Sequence, residues 1–294
     1  MVICGGGAKG ISLLGAIQYV LHQNPTITIQ KYIGTSIGAI ISILMAIGYE
    51  PYELILQMVQ NQYLNQFEGY SMVHGLQGNG FLDFEPMSKV LEELILAKVE
   101  QVPTLQEMVE KFGKQIFAAT FNYSQNKEEI LCAKTFPNLS VLMVMRMTSN
   151  VPFIFDHFQY NGDYYIDGFM TNAFPINLIE YPMDRAIGIN IVQDYYQDSE
   201  GKSSIENIHL FSNLFVIPFY QIQSLRNKSY EEKCDVISIN LSETSMFEFQ
   251  MSNKKLLDMY SIGYSECRTE YEKLKNKKDS ITEENHDETD IQET

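Results

Sequence analysis

The pattern of hydrophobic and polar positions over the first fifty residues predicts two consecutive β-α units. Val2–Cys4 is a short apolar segment that runs directly into glycines, which indicates a strand followed by a tight turn. After Gly10 the apolar residues recur at helical spacing, and β-branched residues over 27–33 then indicate a second strand that ends at Gly34. Residues 37–47 are apolar on all sides, which is typical of a buried helix. This order favours an α/β fold with a parallel sheet covered by helices.

The later pattern is less regular but predicts further elements. The predicted helices are 51–64, 87–95, 139–147 and 256–274, and the predicted strands are 115–121, 129–133, 164–167, 186–192 and 234–241. Residues 193–207 are polar and predict a loop, whereas 210–222 are rich in Phe, Tyr and Ile and fit core packing, a lid or a membrane contact. From Asp279 to Thr294 the chain has seven acidic residues and no Lys or Arg, and we expect this segment to be disordered.

Composition and charge narrow the class of protein. The 294 residues are 45% hydrophobic, enough for a sizeable core in one large α/β domain or two small ones. The formal net charge of −16 argues against a nucleic-acid partner, since phosphate binding needs a basic surface. The four cysteines are scattered and show no metal-binding spacing, so we expect reduced thiols and no metal site. With no recognisable secretion signal, the expected location is cytoplasmic, with peripheral contact to membranes.

A glycine-rich loop joins the first predicted strand to the first helix. It consists of Gly5, Gly6, Gly7, Ala8, Lys9 and Gly10. Glycines let successive backbone N–H groups converge on an anion, either a bound phosphate or the oxyanion of an acyl transfer. The spacing matches a dinucleotide fingerprint, but no acidic residue precedes Glu50 and Ile11 stands where a Walker loop has its lysine. A tight turn without a ligand is the remaining alternative.

The second predicted strand ends in a GxSxG motif formed by Gly34, Thr35, Ser36, Ile37 and Gly38. On a sharp strand-to-helix turn, this motif presents a serine hydroxyl at the end of a sheet. If the β-α-β unit is correct, the serine and the glycine loop lie at the same edge, one as nucleophile and the other as oxyanion donor. The alternative is a glycine-punctuated turn in which Ser36 only caps the helix.

A nucleophilic serine needs a base, and the histidines offer no clear one. They are His22, His74, His157, His209 and His286, and none lies in a motif. Asp167 is a better candidate because it ends a predicted strand and precedes Gly168, and an Asp at a strand end can lie in a polar cleft and take a proton. An ordinary Asp-Gly hairpin turn is the competing interpretation.

Together these motifs resemble the patatin-like phospholipase family. The resemblance rests on the glycine loop, the elbow and Asp167–Gly168 in that order. It extends to residues 79–84, 114–123, 146–155 and 160–168, with Asn172 and Pro175. Two positions depart from the family pattern: Phe169 follows Asp-Gly where Gly or Ala is usual, and Asn122 replaces a common Asp.

The resemblance implies a three-layer α/β/α fold with a central, mostly parallel sheet, over one acyl hydrolase domain at residues 1–275. An acidic tail at 276–294 would follow. It also implies a Ser-Asp dyad with Ser36 as nucleophile and Asp167 as base, and the loop as oxyanion hole with Lys9 at its basic position. The expected activity is cleavage of lipid carboxylic esters at a membrane or micelle surface, with no cofactor and no metal.

Two other functions remain open at this point. The same scaffold could bind a lipid or a protein without turning it over, because a fold does not by itself fix a function. A histidine-dependent esterase is the second alternative, in which one of the unassigned histidines would take the place of Asp167. The sequence also does not separate phospholipids from other lipid esters, and it indicates no particular protein activator.

Overall fold

A computed structural model of the chain describes residues 1–61, 82–180, 186–192, 218–219, 221–226, 228, 230, 234–241 and 251–290. The predicted loop at 193–207 and most of the apolar segment at 210–222 lie outside these ranges, as do His74 and His209.

Strands and helices alternate along the described chain, as the sequence predicts for an α/β fold. The strands are β1 (Val2–Ile3), β2 (Lys31–Thr35), β3 (Gln115–Asn122), β4 (Lys127–Leu131), β5 (Gln159–Tyr160), β6 (Asp163–Asp167), β7 (Ile187–Val192) and β8 (Asp235–Asn240). The helices are α1 (Gly10–Gln23), α2 (Ile37–Ala46), α3 (Pro51–Asn61), α4 (Glu85–Leu96), α5 (Leu105–Phe112), α6 (Val141–Thr148), α7 (Phe169–Asn172) and α8 (Asn253–Asp290).

These strands form a mixed sheet in the order β5-β6-β3-β2-β1-β7-β8, with β4 paired to β3. Strands β3, β2, β1, β7 and β8 are mutually parallel, whereas β6 pairs antiparallel with both β3 and β5, and β4 pairs antiparallel with β3. The prediction of a central, mostly parallel sheet flanked by helices is confirmed.

Helices pack on this sheet through nearly continuous apolar surfaces. Helix α2 is buried from Gly38 to Ala46, which confirms the prediction of an interior helix. Helix α1 packs against α8, where the Tyr19 ring meets Tyr264 edge-on with centroids 5.2 Å apart. The Tyr264 hydroxyl also lies 3.2 Å from His22 Nδ1, so His22 belongs to a helix-packing contact.

Strand β2 and helix α5 differ from the sequence prediction. Strand β2 begins at Lys31 rather than Ile27, because residues 27–30 are mostly exposed and form no ladder. Helix α5 was not predicted, although a capping box at Thr104 and Glu107 marks its start.

The acidic segment predicted to be disordered differs most, because α8 continues through it to Asp290. A segment poor in apolar residues builds no packed core, but its Glu residues favour the helical backbone, so composition alone did not exclude a helix. The domain boundary at residue 275 stays a prediction.

Among the described helices, none alone has the length and apolarity needed to cross a bilayer, although α2 and α3 meet that requirement together across a bend of 111°.

Candidate active site

Sheet register places Ser36 and Asp167 at the same level on either side of β3. Thr35 pairs with Ala119, so Ser36 follows at the level of Thr120, and Thr120 in turn pairs with Asp167. The backbones of Ser36 and Asp167 are therefore two strand spacings apart, about 9–10 Å. That gap is short enough for the two side chains to meet above β3.

The backbone at Ser36 has the sharp geometry expected of a nucleophile elbow. Ser36 has φ 54° and ψ −127°, a left-handed conformation that costs a non-glycine residue about 1–3 kcal/mol. The turn is tight because Gly38 lies against β1: a Cβ there would overlap the backbone carbonyls of Ile3 and Cys4. The elbow therefore needs glycine at position 38, as the GxSxG motif requires.

The two side chains form a short, buried hydrogen bond. Ser36 Oγ donates to Asp167 Oδ2 at 2.6 Å, and both residues are at least 95% buried. The other carboxylate oxygen, Oδ1, accepts the Phe169 N–H at 2.7 Å. Asp167 is thus held by one hydroxyl and one amide, without a cation among the bonds that the structure gives it. This is the arrangement in which a carboxylate can take a serine proton directly.

Burial changes the proton affinity of Asp167. Loss of solvent raises the pKa of the carboxyl from its ordinary 3.8 to about 7, while the bonds from Ser36 and the Phe169 amide act in the opposite direction. A base with a pKa near 7 is stronger than an exposed aspartate and is still partly ionised at neutral pH. The environment therefore favours proton uptake from Ser36.

The glycine loop adjoins Ser36 and offers three N–H groups without an acceptor among the described residues. Those of Gly6, Gly7 and Ala8 have no partner there, and Gly7 takes φ +55°, a left-handed conformation that suits glycine. Gly7 and Ala8 line the same cavity as Ser36. Of the six loop residues predicted to form the oxyanion hole, Gly6, Gly7 and Ala8 are therefore the remaining candidates for donating an N–H group.

The ends of the loop are anchored elsewhere. The Gly5 N–H donates to the Ala173 carbonyl at 2.8 Å, and the Lys9 N–H donates to the Gly6 carbonyl at 3.1 Å. The Gly10 N–H bonds back to the Gly7 carbonyl as α1 begins. The buried ammonium of Lys9 donates to the Leu241 carbonyl at 3.1 Å, and burial lowers its pKa to about 8. This contact ties the loop to the end of β8.

An apolar cavity of about 150 Å³ opens beside Ser36. Its walls come from α1, α2, α3 and α4 and from the loop after α6. Apart from Ser36, Ser149 and the loop backbone, the lining side chains are hydrocarbon or thioether: Ile11, Leu14, Ile37, Ile40, Ile41, Leu44, Leu54, Met58, Phe84, Met87, Val90, Leu91, Leu94, Val151 and Phe155. A cavity of this chemistry suits a hydrocarbon chain.

Comparison with known proteins identifies the family. A family model described as a patatin-like phospholipase matches residues 1–179. The chain belongs to the patatin-like phospholipase family. The matched residues include the glycine loop, the elbow and Asp167–Gly168, which are the motifs that carry the resemblance in the sequence.

Curated relatives span nearly the whole chain. A probable lipid hydrolase, 463L of Invertebrate iridescent virus 6, is 28% identical over 273 residues, covering 89% of each chain. The uncharacterized protein R571 of Acanthamoeba polyphaga mimivirus is 24% identical over 285 residues, 94% of each. Similarity to these relatives therefore extends well past residue 179.

Two solved structures share the fold of this chain. VipD of Legionella pneumophila superposes with a TM-score of 0.58 at 15% identity, over 91% of this chain and 65% of VipD. ExoU of Pseudomonas aeruginosa, solved with SpcU, gives 0.51 at 12% identity, over 92% of this chain and 51% of ExoU. This chain thus spans between half and two thirds of each neighbour, and the likeness concerns the fold alone.

The two departures from the family pattern leave the Ser36–Asp167 pair intact. The Phe169 ring lies beside Gly5 and meets Phe219 edge-on at 6.3 Å, outside the described lining of the cavity. Asn122 donates to Asp163 and to the Tyr165 hydroxyl at 3.0 and 3.1 Å. Gly168 caps the short helix α7, so the Asp-Gly pair is not a hairpin turn here.

The two histidines whose contacts the structure describes, His22 and His157, make no contact with the Ser36–Asp167 pair. His157 stacks edge-on with Tyr164 at 6.1 Å, and neither it nor His22 has a bond to Ser36 or Asp167. Within the described ranges, no group of three His, Cys, Asp or Glu side chains could hold a metal ion.

Sequence reasoning assigned no role to the end of α6, which borders the site. Arg146 donates to the Asn150 side chain at 2.6 Å and to Asp156 at 3.0 Å, which fixes the loop that lines the cavity. The Asn150 carbonyl accepts the Asp167 N–H at 2.9 Å, and the Thr148 hydroxyl accepts the Ser36 N–H at 3.0 Å. In the sequence, residues 146–155 resemble the family pattern, but this resemblance does not indicate which residues Arg146, Thr148 and Asn150 contact.

Proposed function

We propose that the protein is a phospholipase A-type acyl hydrolase, acting on phospholipid esters at a membrane or micelle surface through Ser36 and Asp167. The observation that carries the proposal is the 2.6 Å bond between Ser36 Oγ and Asp167 Oδ2, beside an apolar cavity that Ser36 helps to line. Membership of the patatin-like phospholipase family and the relative named a probable lipid hydrolase support a lipid substrate.

The proposed reaction begins when Ser36 Oγ attacks the ester carbonyl and Asp167 takes its proton. The N–H groups of Gly7 and Ala8 face the charge that develops on the carbonyl oxygen. The ester C–O bond then breaks, the leaving alcohol receives the proton from Asp167, and the acyl group remains on Ser36. Water then attacks this acyl-enzyme while Asp167 accepts one of its protons. The bond between the acyl carbon and Ser36 Oγ breaks, Ser36 Oγ takes the proton back from Asp167, and the fatty acid is released.

The direct test is product analysis with phosphatidylcholine vesicles, together with labelling by a fluorophosphonate probe. We expect free fatty acid and lysophospholipid in equal amounts, and covalent labelling at Ser36. Folded protein that neither reacts with the probe nor releases fatty acid would favour a silent lipid- or protein-binding module.

The pH dependence of kcat/KM reports the ionisation of Asp167 in the free enzyme. Because burial raises its pKa to about 7, activity is expected to rise tenfold per pH unit up to about pH 7 and then to level off. A soluble ester assayed in a pH-stat measures this profile, with circular dichroism confirming the folded state at each pH. A profile already flat from pH 5 upward would contradict an Asp167 base in this environment.

A bulky residue in the cavity wall should discriminate between acyl chains. Met87→Trp is expected to lower kcat/KM for a long-chain ester by about tenfold or more, because each methylene excluded from the cavity forfeits about 0.8 kcal/mol. The rate on an acetyl ester should change by less than about threefold. Leu96→Trp on the same helix is the control, since Leu96 is 46% exposed and outside the lining. Equal losses on both esters would argue against an acyl-binding role.

A further inference from the structure

The last residue of α6, Thr148, contacts the backbone of Ser36 and of Gly168, the residue that follows Asp167. Thr148 is fully buried, and its hydroxyl accepts the Ser36 N–H at 3.0 Å. The same hydroxyl donates to the Ala119 carbonyl at 2.5 Å. Its main-chain carbonyl accepts the Gly168 N–H at 3.3 Å. One residue therefore contacts the elbow, the central strand β3 and the turn after Asp167.

The hydroxyl of Thr148 has a defined orientation because its single proton is committed to Ala119. A lone pair is consequently left for the Ser36 N–H, which precedes α2 and finds no helical acceptor. Ser36 holds a left-handed backbone conformation, and such strain persists only when neighbouring groups fix it. The bond to Thr148 is the side-chain contact that fixes this peptide.

The base is held from the same short segment. The Asp167 N–H donates to the Asn150 carbonyl at 2.9 Å, and the Gly168 N–H donates to the Thr148 carbonyl. Residues 148–150 thus hold the backbone of Asp167 on one side and the backbone of Ser36 on the other. Any shift of this segment changes the distance between the two reacting side chains.

We propose that Thr148 is a positioning residue that keeps Ser36 Oγ in line with Asp167 through its hydroxyl. This inference rests on the proposed function of the dyad. Thr148 is not among the residues that line the cavity, so it acts through Ser36 and not on the substrate. Its loss should therefore lower kcat and leave KM nearly unchanged.

Three substitutions separate positioning from general stability. Thr148→Val keeps the shape but removes the hydroxyl, and Thr148→Ser keeps the hydroxyl but removes the methyl group. Thr135→Val is the matched control, because the Thr135 hydroxyl also accepts a backbone N–H, from Cys132 at 3.2 Å, and donates to a carbonyl, Ile130 at 2.7 Å. Thr135 lies in the turn after β4 and makes none of its bonds to Ser36 or Asp167.

The experiment measures kcat, KM and the second-order rate of fluorophosphonate labelling for each variant, together with its melting temperature. We expect Thr148→Val to lower kcat and the labelling rate by about 10²-fold, the loss associated with a misplacement of about 1 Å. Its KM should stay within about threefold, and Thr148→Ser should recover both rates to within about threefold. Thr135→Val should lower the melting temperature without lowering either rate.

Folded Thr148→Val that is labelled as fast as the wild type would overturn the inference alone. A defect in Thr148→Ser as large as that in Thr148→Val would do the same. If Thr148→Val does not fold, Thr148→Cys replaces it: a thiol is a weaker acceptor, so wild-type rates in that variant also contradict the role. Wild-type protein that is not labelled at Ser36 would instead overturn the proposed function, and this inference with it.

Discussion

Asp167→Asn is expected to lower kcat/KM on a soluble ester by about 10²- to 10⁴-fold, the usual contribution of a general base. Ser36→Ala should lose about 10⁴-fold or more, because the covalent path through an acyl-serine is removed. The Ser36 hydroxyl and the Asp167 carboxylate would act in one step, since they share a 2.6 Å hydrogen bond. The double variant should therefore be no slower than Ser36→Ala alone.

Stability measurements distinguish this loss from unfolding. The pKa of Asp167 is raised in the folded state, so the folded protein binds more protons than the unfolded chain between pH 3.8 and about 7. The contribution of this group to the free energy of unfolding therefore falls as the pH rises through that range. Above pH 7 the carboxylate is ionised in both states, and the destabilisation caused by burying its charge is fully present. Asp167→Asn removes this cost, so its melting temperature at pH 8 should equal or exceed that of the wild type.

The control carboxylate is Asp163 in the same strand, which accepts bonds from Asn122 and Gln125 and none from Ser36. Asp163→Asn should keep kcat/KM within about threefold. Full turnover in either Ser36→Ala or Asp167→Asn would refute the dyad. A fall of similar size in Asp163→Asn would show that the assay reports damage to the strand and not the loss of a base.

Gly38→Ala is expected to reduce both stability and activity, although it adds a single methyl group. That methyl would overlap the carbonyl oxygens of Ile3 and Cys4, which are backbone atoms and cannot rotate away. We expect a loss of about 1–3 kcal/mol in the free energy of unfolding, as for overpacked cores. Because Gly5 follows Cys4, the forced separation also moves the glycine loop relative to Ser36, and a shift of about 1 Å costs about 10²-fold in rate.

Thermal melting and kcat/KM measure the two effects separately. Ser42→Ala is the control on the same helix, since its buried hydroxyl has no hydrogen-bond partner among the residues that the structure describes. Its removal should leave both quantities nearly unchanged. A Gly38→Ala protein with wild-type melting temperature and wild-type turnover would show that α2 can retreat from β1 without disturbing the elbow.

The elements around the glycine loop and the elbow could be predicted because their signals are local. Helix α2 is apolar on every side and is buried, and glycine punctuation at Gly34 and Gly38 marks the turn. Local signals for α5 were also present, in the Thr104–Glu107 capping box and the left-handed Gly113 that follows the helix. That helix was within reach of sequence analysis and was missed.

Other features of the site could not be derived from the chain alone. The level of Asp167 relative to Ser36 depends on two strand registers, β2 with β3 and β3 with β6, which no local pattern specifies. The bond between Ser36 and Thr148 joins residues 112 positions apart. Which loop N–H groups remain unpaired depends on distant carbonyls such as that of Ala173.

The family match ends at residue 179, yet the sheet does not end there. Strand β1, which leads into the glycine loop, has β2 on one side and β7 on the other, and β7 follows the matched region. The Lys9 ammonium donates a hydrogen bond to the Leu241 carbonyl, and α1 packs against α8. The region most recognisable by similarity is therefore not a separable folding unit. Its boundary cuts through shared hydrogen-bond ladders and core, and the less recognisable part of the chain completes the structure beneath the glycine loop.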